Sequence, residues 1–142
     1  MNKISFKVWC DKKKTRFYWV HIFKNKETMQ AWNLKDGYNG SKRYAAVARS
    51  YSRQKLVKGR WKVKKDEQGC VSFDVHTLGA GIVSHEFTHA ALYWFHAKYK
   101  DYRKLDNSKH DELLAWVQGN LVRQFWYQFY KLKKSKRIKR LK

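Results

Sequence analysis

The stretch Ser84-His85-Glu86-Phe87-Thr88-His89-Ala90 carries two histidines four residues apart, with a glutamate directly after the first. The surrounding run, Ile82 to Phe95, has helical length and no breaker, which predicts a helix. Residues four apart on a helix stand one above the other on the same face. His85 and His89 can therefore offer two imidazole nitrogens to one metal ion, and Glu86, one step round, is close enough to handle the proton of a water at that ion. The opposite face carries Val83, Phe87, Ala90 and Trp94, so a core side and a ligand side separate on one helix.

A catalytic zinc takes three protein ligands and keeps a fourth position open. His96 lies seven residues beyond His89, about 10 Å along a helix and too far to share one ion. The remaining candidates, His110, Asp111 and Glu112, come after a polar segment that can fold a second helix against the first. Glu112 is the preferred third ligand, because Ala115 and Gly119 follow on the same face and small residues permit a close helix approach. His110 is the alternative. Tyr93, Tyr99, Tyr102 and His110 are near enough in sequence to supply a donor for an oxyanion, and the sequence does not choose among them.

These residues carry a resemblance. H-E-x-x-H followed by Asp111-Glu112-Leu113-Leu114-Ala115 is similar to the gluzincin pattern of zinc metallopeptidases, in which the third ligand is a glutamate preceded by Asn or Asp and followed three residues on by Ala or Ser. Small size and a strand-rich first half resemble ImmA/IrrE-like and phage-encoded minimal metallopeptidase domains. The similarity covers roughly Trp61 to Gln128. SprT-like proteases are a neighbouring family, with a histidine third ligand in a His-Gly setting; here Asp111 follows His110. The resemblance implies one Zn(2+) ion held by His85, His89 and Glu112, Glu86 as general base, and hydrolysis of a protein or peptide substrate. It also implies a zincin-like α+β fold, an antiparallel or mixed sheet of four to five strands packed on two long helices that carry the site. In such folds the strand before the active-site helix often forms the edge of the cleft, which assigns that role to Val71–His76.

The elements that position the site read as follows. Ile4, Phe6 and Val8 alternate with polar neighbours as a strand, and Phe17 to Phe23 is a nearly continuous apolar strand suited to the middle of a sheet. His21 within it is expected to be a hydrogen-bonded core histidine. Lys26 to Leu34 forms a short helix ended by Gly37 and Gly40. Strands are expected at Arg43–Ser52, Gly59–Lys65 and Val71–His76, with Asp66-Glu67-Gln68-Gly69 as a hairpin loop. The last of these strands alternates apolar and polar residues, which suits a sheet edge or a sheet with one solvated surface. The second long helix is expected from Lys109 to Tyr130, with Asp111 and Glu112 in its first turn and Leu113, Leu114, Trp116, Val117, Leu121 and Val122 supplying its packing surface.

Residues 1–130 read as one domain and 131–142 as a basic C-terminal tail, either a frayed helix end or a mobile segment. The 142 residues fit a single modest core. Thirty-three Lys and Arg against eleven Asp and Glu give a formal charge of +22, so a polyanionic partner is expected, nucleic acid before an anionic membrane. Lys133, Lys134, Lys136, Arg137, Lys139 and Arg140 of the tail are the candidate contacts to a phosphate backbone, which makes a basic nucleic-acid-binding protein, or a SprT-like protease acting on DNA-associated protein, the alternative function. A pure inhibitor or interaction protein is a third class. Cys10 and Cys70 form no metal-binding spacing and are expected as buried free thiols. No stretch has the length of a membrane span or the apolar core of a signal peptide, so the expected setting is cytoplasmic, a host cytoplasm for a phage product.

Overall fold

The computed structural model describes residues 1–36, 38, 44, 46–50, 54–58, 60–63, 66–99 and 107–142. Among the described residues it is an α+β structure with a four-stranded mixed sheet, a separate two-stranded hairpin and four helices. The sheet holds β1 (Lys3–Trp9), β2 (Phe17–Phe23), β3 (Ala46–Ser50) and β6 (Glu67–Asp74) in the order β1-β2-β6-β3. The β2–β6 pair is parallel and the other two are antiparallel. β4 (Gln54–Val57) and β5 (Arg60–Val63) form the hairpin. The helices are α1 (Lys26–Lys35), α2 (Ala80–Lys98), α3 (Asn107–Lys134) and α4 (Arg137–Leu141). Among the described residues no helix is long and apolar enough to cross a membrane.

Period-two patterning sorts the sheet into two faces. Ile4 and Val8 of β1, Tyr18, Val20 and Ile22 of β2, and Val71 and Phe73 of β6 bury against Val83, Phe87, Ala90, Ala91 and Trp94 of α2 and Val117, Leu121 and Phe125 of α3. The alternate residues of β2 meet Trp32 of α1, whose ring lies 4.5 Å from His21 and 5.5 Å from Phe23. His21 is buried, with Nδ1 2.8 Å from the Ser5 hydroxyl, as its place in an apolar strand requires. Cys10 and Cys70 are fully buried thiols outside any disulfide, and burial pushes the Cys10 thiol well above its ordinary range.

Several expectations change. Glu67, Gln68 and Gly69 do not form a hairpin loop; they open β6 and pair with β2 and β3. Gly69 is needed there because a Cβ would sit 1.9 Å from the Arg49 carbonyl oxygen of β3. Gly69→Ala is expected to push β3 off the sheet and cost about 3 kcal/mol. Urea unfolding checks the cost, and faster amide exchange at Val47–Ser50 checks the place.

Nor is β6 an edge: it lies between β2 and β3 and is buried along its whole length. Gln68 is used internally, donating to the Ser50 hydroxyl and accepting from Arg16. β3 is the edge strand. α3 begins at Asn107, which moves Asp111 and Glu112 into its second turn. Trp116 is 41% exposed and not part of the packing surface, with the Lys12 ammonium 5.5 Å from its ring. The basic C-terminus is not a loose tail. α3 runs on to Lys134, the chain turns at Lys136 with φ 60°, and α4 returns Ile138 and Leu141 to the core. The glycines Gly37 and Gly40 lie outside the described residues.

Candidate metal centre

α2 starts where β6 ends. The Asp74 carboxylate accepts from the His76 backbone N–H at 3.0 Å, and the Thr77 N–H closes the turn onto the Asp74 carbonyl at 3.2 Å. Asp74 is therefore a buried turn residue, and His76 is exposed beside it. The helix is then fixed from three sides. Beneath it, the fully buried Tyr18 donates its hydroxyl to the Ala90 carbonyl at 2.8 Å, next to His89. Through the core, the Phe87 ring lies 6.1 Å from Phe73 and 5.8 Å from Phe125. From α3, the Gln118 amide donates to the Ser84 hydroxyl at 3.1 Å.

The anchoring leaves the other face of α2 exposed, and His85 and His89 stand on it. Their Nε2 atoms are 3.2 Å apart with the rings at 81°. Two nitrogens bound tetrahedrally to zinc at its usual bond length are separated by about 3.3 Å, so this spacing fits a shared ion. Glu86 turns inward: it is 8% exposed, and its Oε1 lies 3.9 Å from His85 Nε2. Burial pushes its carboxyl above the ordinary glutamate value, opposed by His85, by a backbone hydrogen bond from Ala48 and by His89.

The three residues open into a groove of about 280 Å³ between α2 and the edge strand. Ala46, Val47 and Ala48 of β3 form one wall, and Tyr38, Tyr44 and Tyr93 complete it. Tyr93 stacks on His89 with ring centres 6.2 Å apart. Tyr38 is held by Arg49, whose guanidinium lies 5.1 Å from its ring and pairs with Asp36 at 2.9 Å, which ties the end of α1 to β3.

The other candidates are placed elsewhere. His110 packs at the far end of α2, with its ring 5.2 Å from Phe95 and 5.8 Å from Tyr99. Phe95 is six residues beyond His89, about 9 Å along the axis. Ser84 with Gln118 and Phe95 with His110 show that α2 and α3 run in opposite directions. Glu112 is exposed on α3, as are Ala115 and Gly119, and nothing lies within 4 Å of a Cβ added at Gly119. The small-residue face therefore is not the one that packs on α2. Among the described residues no group of three His, Cys, Asp or Glu side chains converges on one point. Tyr99 packs against Phe95 at 5.1 Å, away from the groove, and Tyr102 lies outside the described residues. Of the tail cations, Lys133 and Lys134 end α3, Lys136 is at the turn, and Arg137, Lys139 and Arg140 are on α4, all exposed.

Sequence reasoning missed Tyr38, Tyr44 and the β3 wall. No local signal marks them, because they join the site only through the antiparallel pairing of β3 with β6. Compared with protein-family models, curated proteins and solved structures, the chain has no significant match in any of the three.

Proposed function

We propose that the protein is a zinc-dependent peptidase. The observation that carries this reading is the convergence of the His85 and His89 Nε2 atoms, 3.2 Å apart, beside the inward-turned Glu86 and at the mouth of a groove walled by an edge strand. His85 and His89 would hold the ion. Zinc bound there would supply a Lewis acid for the scissile carbonyl and lower the pKa of a water toward neutrality. Glu86 takes the proton of the attacking water and returns it to the leaving amine. Tyr93, alone among the tyrosines singled out from the sequence, lines the groove and is the donor for the oxyanion. An extended peptide lies along the outer edge of β3, where backbone hydrogen bonds hold it without regard to sequence.

The third ligand is proposed to be Glu112, with His110 as the alternative. Its assignment rests on the Asp-Glu-Leu-Leu-Ala pattern, since the described geometry supplies two ligands and the base. Metal analysis of the purified chain tests both parts. One zinc per chain is expected, lost in His85→Ala and in His89→Ala, and weakened at least tenfold in Glu112→Ala but not in His110→Ala. Peptide-library cleavage that stops with a chelator and returns with zinc is the expected activity. Wild-type protein that takes up no zinc would overturn the reading.

A further inference from the structure

A second feature lies at the opposite edge of the sheet, against β1. Trp116, Asn120, Arg123, Tyr127, Tyr130 and Lys134 recur along α3 at alternating spacings of four and three, which places them on one helix face. The stripe is about 27 Å long. On an ordinary amphipathic helix this face would be plainly polar, yet Trp116, Tyr127 and Tyr130 stand 41%, 67% and 54% exposed. Midway along it a groove of about 210 Å³ opens between α3 and β1, where Lys7, Lys14 and Arg123 gather around Trp9 and Tyr127.

The groove is built. The Gln124 side chain accepts from the Trp9 N–H and donates to the Trp9 carbonyl, both at 2.8 Å, locking the strand end to the helix. Asn120 orients Arg123 through a 2.8 Å hydrogen bond. Past Glu112, one turn before Trp116, the electrostatics have one sign. From Leu113 to Lys142 there are nine Lys and Arg and no acidic residue. Asp11 is the one acidic residue between Met1 and Lys26. Its carboxylate is taken up by the Thr15 N–H and hydroxyl at 3.1 and 2.6 Å.

We propose that this groove and stripe bind single-stranded nucleic acid. Fixed cations alternating with exposed rings suit a chain that presents phosphates and unstacked bases in turn. A duplex keeps its bases stacked and leaves the rings without partners, and an acidic protein satisfies the cations alone. The site sits at the β1 edge, whereas His85 and His89 face the β3 edge, so it stands whatever the outcome for the peptidase reading.

The test is fluorescence anisotropy of the full chain with labelled 15-residue oligo(dT) and oligo(U), a duplex of the same length and polyglutamate. Lys14→Ala/Arg123→Ala should weaken oligonucleotide binding at least tenfold and make the logarithmic salt slope shallower by about 1.4, two phosphate contacts' worth. Tyr127→Ala should weaken it about tenfold and leave the salt slope unchanged, the mark of lost stacking. Lys139→Ala/Arg140→Ala removes the same charge from α4 and should cost less than threefold. Arg123 and Tyr127 are exposed, so these variants keep the fold, which thermal melting verifies. Tight binding of either oligonucleotide supports the proposal, and the tighter one names the class. Equal losses in the groove and α4 pairs, no effect of Tyr127→Ala, or equal affinity for duplex or polyglutamate would overturn it.

Discussion

Glu86→Gln is expected to reduce peptide hydrolysis about 10³-fold while zinc remains bound. The two side chains have the same shape, so the amide still fits the inward pocket beside Ala48 and accepts its N–H. What disappears is the ability to take up a proton. In the proposed mechanism the loss falls on the chemical step, so kcat drops and KM changes little. A thousandfold is about 4 kcal/mol of transition-state stabilisation. Steady-state kinetics on a peptide identified from the library check this, with metal content measured on the same preparation. Cleavage by Glu86→Gln at the wild-type rate would remove Glu86 from the reaction and with it the peptidase assignment.

Phe125→Ala should be the most damaging single truncation in the core, at about 4 kcal/mol. Phe125 is fully buried where β1, β6, α2 and α3 meet. Its ring lies 5.9 Å from Phe6, 5.3 Å from Phe73 and 5.8 Å from Phe87. None of these neighbours can fill the space without breaking a contact to another layer, so a cavity persists. For a chain of this size the melting temperature should fall by roughly 12 °C. Phe125→Leu, which keeps most of the volume, should cost less than half as much. Phe87 sits between His85 and His89 on the next face of α2, so the loosened core should also weaken zinc binding. A melting temperature within 3 °C of wild type would mean that the four elements do not meet at this ring.

The helix of the two histidines was legible because its evidence is local. A four-residue spacing and an apolar face of Val83, Phe87, Ala90 and Trp94 need no knowledge of neighbours, and all four are buried. β1 and β2 were legible for the same reason. Gly69 was misread because a glycine after Asp66 carries the same local signal whether it serves a turn or a close strand approach. Only the Arg49 carbonyl decides between them. Ile138 and Leu141 were overlooked because three apolar residues, Leu132 among them, set between eight cations from Lys131 to Lys142 read as a frayed or mobile tail. Their spacing of three is enough to seat one short turn on a core. The α2 half of the candidate site followed from spacing, whereas its β3 wall depends on sheet order, which no short stretch encodes.

The Gln124 clamp has a consequence for association. Its amide occupies the N–H and carbonyl of Trp9 as a neighbouring strand would, and Lys3 and Lys7 charge the rest of that edge. A fibre that grows by adding sheet to sheet needs an accepting edge on both sides of every copy. At the other end of the sheet, among the described residues, β3 is plugged only at Ala48, whose N–H Glu86 accepts. Two copies can meet β3 to β3 and close as a two-fold pair, but no edge of the four-stranded sheet remains from which a third can extend.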